Sequence, residues 1–121
     1  MKYLLLILLS FNVYAEGFPE DKLTKNLMIG ANALIVADWA QTRYIAENPD
    51  RFHETGIAEY FIGKHPSTKE VNQYFISSII SANLIGYYLP GDYKKWWWGW
   101  IVVYEFDVVN HNRKIGVKFE F

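Results

Sequence analysis

Nineteen consecutive residues without a charged side chain, 71–89 (VNQYFISSIISANLIGYYL), constrain this chain more than any other feature. Ser67-Thr68-Lys69-Glu70 stands at their start and fits a capping box, in which a serine hydroxyl and a glutamate carboxylate satisfy the orphan amides of a helix start. Pro90-Gly91-Asp92 ends them. At about 1.5 Å per residue such a helix approaches the roughly 30 Å of a bilayer core.

Two further stretches share this character. Residues 27–46 (LMIGANALIVADWAQTRYIA) contain no proline and one acid, Asp38. They stop at Asn48-Pro49, because the residue before a proline is pushed out of the helical region. Residues 96–110 (WWWGWIVVYEFDVVN) open on a tryptophan cluster and carry Glu105 and Asp107. Between the first two stretches, Gly56, Gly63 and Pro66 mark a loop with one short helical turn. The predicted fold is all-α, a small bundle of three membrane-spanning or membrane-associated helices over about 27–46, 70–89 and 94–112. A polar leader, 16–26, precedes it, and an extended tail, 113–121, follows.

The placing of aromatic and small residues points to lipid as the solvent. Trp39 and Tyr44, Tyr74 and Tyr87-Tyr88, and Trp96, Trp97, Trp98 and Trp100 fall near the ends of the three stretches, where indole and phenol rings anchor in the headgroup zone. Gly30, Ala33, Ala37 and Ala40 share one helical face, and Ser78, Ala82 and Gly86 another; small faces let helices approach closely in lipid. Against this stand a mean hydropathy of −0.04 and the acids of the first and third stretches. They keep a soluble periplasmic helical domain open as the alternative.

Met1-Lys2, the apolar run 3–9 and Val13-Tyr14-Ala15 have the form of a signal peptide with cleavage after Ala15. The expected location is the bacterial inner membrane after Sec-type export, with the bilayer, a second copy or another membrane protein as partner. With the amino-terminal side exported, seven Lys/Arg fall on the cytoplasmic side and four on the outer side, as the positive-inside tendency requires.

Several chemistries are excluded at this stage. A net charge of −1 gives no cationic excess to replace phosphate counterions, so nucleic acid is not a partner. The absence of cysteine removes disulfides, thiolate metal sites and cysteine nucleophiles. Nucleophile-elbow, phosphate-loop and dinucleotide glycine patterns are missing, so no catalytic residue and no cofactor is assigned.

The polar residues inside the apolar stretches are the functional lead. Rise per residue puts Asp38 roughly 21 Å, Glu105 roughly 16 Å and Asp107 roughly 20 Å along their helices from one end, with Ser77 and Ser78 at a comparable level. Asp38, Gln41, Glu105 and Asp107 are therefore predicted to form one polar layer. Carboxylates there must face other helices or trapped water, and burial pushes them toward the protonated form. Three roles stay open for them: holding helices in register, contacting a partner, or handling protons in a membrane enzyme. No metal motif is present; Asp107 and His111, four apart, come nearest to a ligand pair, with His53 and His65 in a loop on the same side.

Two resemblances complete the reading. The last six residues, GVKFEF, resemble the closing strand of bacterial outer-membrane barrels, which makes a small outer-membrane β-protein a further alternative. The strings DWAQTR (38–43), GKHPS (63–67), Tyr74-Phe75, Leu89-Pro90 and GVKF (116–119) together resemble uncharacterised small helical membrane proteins of bacteria and their phages. Glu59-Tyr60 stands where that group is expected to carry Asn-Pro. The resemblance implies membrane location and no activity.

Overall fold

A computed structural model describes residues 18–121. The predicted leader peptide and its cleavage point lie outside these residues. Four helices follow in order, α1 (Lys22–Glu47), α2 (Gly56–Ile62), α3 (Thr68–Tyr88) and α4 (Tyr93–Lys114). The described residues contain no strand, so the fold there is all-α and gives the β-protein alternative no support. The bundle has four helices where three were expected, because the 47–68 connection forms the full short helix α2.

Two helix starts have a side-chain cap. Asp21 caps α1, its Oδ2 accepting from the Thr24 amide (2.8 Å) and hydroxyl (2.7 Å), so the helix begins inside the predicted polar leader. The Ser67–Glu70 capping box is present: Ser67 Oγ accepts from the Glu70 amide (3.1 Å), and Glu70 Oε1 accepts from the Ser67 amide (3.2 Å). Ser67→Ala removes the hydroxyl half of this exchange. It is expected to lower unfolding stability by about 1 kcal/mol, read as a shift in denaturant midpoint at unchanged slope.

α1 is the centre of the bundle. It packs along both α3 and α4, which touch each other far less. Ala31, Ile35, Asp38, Thr42 and Ile45 recur at helical spacing along its buried face. Val71, Phe75 and Ala82 of α3 and Trp98 and Ile101 of α4 complete the core around Ala31 and Ile35. Asn32 meets Asn83 and Trp39 meets Asn72, so α1 and α3 run antiparallel. Gln41 meets Val109 and Asn112, and α4 runs parallel to α1. The predicted small-residue face of α1 packs only in part: Ala40 is buried and Gly30 lies close to Val102 of α4, whereas Ala33 is exposed. On α3, Ala82 and Gly86 are buried, and the Trp98 ring lies against Gly86.

No helix among the described residues is long and apolar enough to cross a membrane. Counting charges alone overrates these stretches, because neutral amides and hydroxyls also resist transfer into hydrocarbon. α3 carries Asn72, Gln73, Ser77, Ser78, Ser81 and Asn83; α1 and α4 add charges at both ends. Several of these amides join the helices. The Asn32 and Asn83 amides exchange hydrogen bonds at 2.7 and 3.3 Å, and each also donates to its own helix backbone. Asn72 Oδ1 accepts from Trp39 Nε1 (2.9 Å) and Arg43 Nη1 (2.7 Å). Gln41, fully buried, donates to the Val109 carbonyl (3.0 Å) and accepts from Asn112 (3.2 Å).

The carboxyl-terminal tail folds back onto α1. Gly116, at φ +96°, makes the left-handed turn that ends α4, and the Val117 amide donates to the Asn112 carbonyl (2.9 Å). Val117 is buried, Glu120 donates its amide to Ala40 (3.1 Å), and the Phe121 ring meets Trp39 edge-on at 5.3 Å.

Candidate functional site

The sparse contact between α3 and α4 leaves a cleft of about 380 Å³. That volume lies in the about 300–1,000 Å³ range of small-molecule sites. Ile35, Phe75, Ala82 and Ile101 give it an apolar floor. Phe61, Tyr74 and Phe75 stand on one side in successive tilted and edge-on contacts at 6.0 and 5.0 Å. Trp97, Trp100 and Tyr104 stand on the other, at 6.0 and 5.7 Å. Ser77 and Ser81 are exposed along its wall.

Glu105, Tyr74 and Tyr104 line this cleft and also a polar pocket of about 240 Å³ beside it. That pocket gathers four carboxyl groups, Asp38, Glu54 and Glu105 within and Asp107 exposed at its rim. Asp38 and Glu54 are almost wholly buried, at 7% and 5% exposure. Loop pairing puts Glu54 there: its amide donates to the Lys64 carbonyl (2.8 Å), and Gly56, at φ +69°, turns the chain directly afterwards into α2. A Cβ on Gly56 would lie 3.5 Å from the Tyr104 hydroxyl, so α2 sits tight against α4.

The Asp38 and Glu105 carboxyls hydrogen-bond to each other, which requires a proton between them. Burial raises both above the usual carboxylate range, and the neighbouring Asp38 charge raises Glu105 further. Thr42 Oγ1 donates to Asp38 Oδ1 at 3.3 Å, favouring ionised Asp38. Glu54 is pushed up to about 7, by burial first and then by the Asp38 charge. Glu54 Oε2 and Glu105 Oε2 are buried and receive no N–H or hydroxyl. The same burial, with the Asp38 charge, raises the Tyr74 hydroxyl to about 12. Chemically, the arrangement offers a shared proton, two oxygens in need of donors and a protonated phenol at the end of an apolar cleft.

The predicted polar layer is thus divided. Asp38 and Glu105 come together; Gln41 faces Val109 and Asn112 instead; Asp107 is exposed at the rim of the polar pocket. Ser78 turns its hydroxyl to the Tyr74 carbonyl (2.8 Å). Asp107 and His111 both stand exposed at that rim, and the described residues hold no group of three His, Cys, Asp or Glu placed to bind a metal. His53 and His65 lie ring to ring at 6.4 Å.

Of the four expected anchors, Trp96 and Trp100 are exposed, at 72% and 53%. Trp98 is a core residue, 1% exposed, and Trp97 is half-buried with its Nε1 donating to the Ala82 carbonyl (2.9 Å). The correction has a simple cause: consecutive helical residues point about 100° apart, so a run of tryptophans cannot share one environment. Sequence reasoning missed Glu54 and the cleft-lining pair Ile57 and Phe61. The signal available was Thr55-Gly56 before IAEYFI, a turn residue opening an amphipathic segment.

No protein-family model, no curated protein and no solved structure matches this chain.

Proposed function

We propose that this chain is a small exported bacterial protein that works at a membrane by contact, seating one aromatic face in the lipid–water boundary with its cleft open there. The observation that carries the reading is the outer face of α4. Tyr93, Trp96, Trp100, Val103 and Phe106 follow one another along it, each more than half exposed. They extend about 20 Å along the helix axis. Ile57, Tyr60 and Phe61 of α2 are exposed as well, and Phe61 and Trp100 flank the cleft. Contiguous apolar surface of this kind marks contact with a membrane or a partner. Lys95, exposed at the head of α4, stands where a lipid phosphate would meet it. The leader at 1–15 supports export.

Flotation of the full chain with anionic vesicles, together with fractionation of cells, tests this. Retention of the chain in the aqueous phase by both measures would overturn it. The triple variant Trp96→Ser, Trp100→Ser, Phe106→Ser changes only exposed side chains and should keep its far-UV spectrum. Its vesicle affinity is expected to fall at least about tenfold, since each ring forfeits on the order of 1.5–3 kcal/mol of burial.

A further inference from the structure

We infer that the α3–α4 cleft and the polar pocket at its inner end form one binding site for a single-chain amphiphile with a primary ammonium head. The alkyl chain lies over Ile35, Phe75, Ala82 and Ile101, and the head sits between Glu54 and Glu105. This deepens the contact reading by naming what the cleft takes, and it rests on that cleft being open to molecules carried in lipid.

Three observations select this occupant. The cleft is lined almost wholly by aromatic and aliphatic groups and runs about 12 Å along α4 from Trp97 to Glu105, which suits a medium-length alkyl chain. Its inner end meets Asp38, Glu54 and Glu105, with Asp107 and His111 at the rim, and no lysine or arginine lines either cavity. The complementary head is therefore a cation. The third observation distinguishes among cations. Glu54 is more than nine-tenths buried, at 5% exposure, lines the polar pocket, and keeps Oε2 without a hydrogen-bond donor; Glu105 Oε2 also lacks one. A buried acceptor left unpaired costs about 1–3 kcal/mol, more when charged.

A primary ammonium brings three N–H donors and can serve both oxygens. A quaternary ammonium brings none, and would use only the faces of Tyr74 and Tyr104. A metal ion would need converging ligands, and the described residues contain no such group. A carboxylate head would add a further acid to a cluster that already shares a proton.

Native mass spectrometry of the full chain in a neutral detergent, with decylamine, decanol, decanoate and decyltrimethylammonium run in parallel, reads the head preference. The expected result is one decylamine per chain, retained at least about tenfold better than each of the other three. Glu54→Gln and Glu105→Gln should each lower decylamine retention about tenfold and leave decanol unchanged. Ser81→Trp, a change at an exposed position of the cleft wall, should remove all four ligands while far-UV dichroism is kept. Equal retention of the four heads, best retention of decanoate or decanol, parity of the quaternary amine, or no retention of any would each overturn the site. Vesicle flotation on the same preparations separates this from the broader reading. Flotation without amine preference rejects the site alone, and amine preference without flotation rejects the membrane seat alone.

Discussion

Replacing Glu54 by Gln is expected to stabilise the folded chain by about 2–3 kcal/mol at pH 8 and to change it little at pH 4. In the folded state this carboxyl titrates at about 7 against an ordinary 4.5. Below pH 4.5 both states hold the proton, and burial costs only what burying a neutral acid costs. As pH rises from 4.5 to 7, the unfolded chain releases its proton while the folded chain keeps it, so the unfolded state gains on the folded one. Above 7 the folded carboxyl ionises too, and the penalty stays at its full value. Every tenfold difference in proton affinity between the two states is worth about 1.4 kcal/mol, and the lower figure allows for the less complete pairing of a glutamine amide. Asp38 and Glu105 are raised in the same direction, so their contributions to the pH slope have the same sign. The wild-type chain should therefore be more stable at pH 5 than at pH 8, the reverse of ordinary acid denaturation. Guanidinium unfolding followed by far-UV dichroism at both pH values reads this. A wild-type midpoint that rises with pH over this range, or Glu54→Gln unfolding at a lower denaturant concentration than wild type at pH 8, would show that the cluster is not desolvated as described.

That penalty also explains why the site is half legible in the sequence. Asp38 is legible because an acid inside an apolar helical stretch has few places to point, and the packing face of α1 takes it inward with Ile35 and Thr42. Glu105 follows from the same reasoning on α4. Glu54 gives no such sign. It sits in the irregular segment before α2, between His53 and Thr55, and its burial comes from the Glu54–Lys64 backbone pairing and the approach of Tyr104, tertiary facts that local pattern does not carry. Helix ends are legible wherever they have local chemistry, as at Ser67–Glu70 and Pro90. Depth in a bilayer is not, because a count of charges neglects the amides of α3. Those amides have inward partners instead: Asn72 meets Trp39 and Arg43, and Asn83 meets Asn32. The tryptophan run shows the same limit at one position. Its composition suggests anchoring, but only the register of α4 against α3 decides that Trp98 enters the core while Trp96 and Trp100 stay outside.

That register hangs on Gly86, and Gly86→Ala is expected to destabilise the chain by about 2 kcal/mol or more. A Cβ there would lie 2.5 Å from Trp98 Cζ2, 2.8 Å from Cε2 and 2.9 Å from Nε1. The indole is 1% exposed and belongs to one core cluster with Ala31, Phe75 and Ile101, and the narrow void beside it and Gly86 is too small to admit even a water, so the ring cannot swing clear. The helices must part instead. Lys94 Nζ, which donates to the Gly86 (2.8 Å) and Tyr87 (2.6 Å) carbonyls, would be displaced with them. Alanine is the better helix former by about 1 kcal/mol, so the steric cost must exceed that gain for the net sign to be negative. Gly99 supplies the control. Its Cβ would come no nearer than 4.0 Å, to Leu27 Cδ1, which is ordinary contact. Gly99→Ala should stabilise α4 by about 0.5–1 kcal/mol. Opposite signs for one chemical change on two neighbouring helices isolate the Trp98 contact from helix propensity. Trp98→Phe in the Gly86→Ala background should recover part of the loss, by shortening the ring and removing a buried Nε1 that has no acceptor. Denaturant midpoints of the two alanine variants shifting in the same direction would mean that α4 does not meet α3 at this glycine.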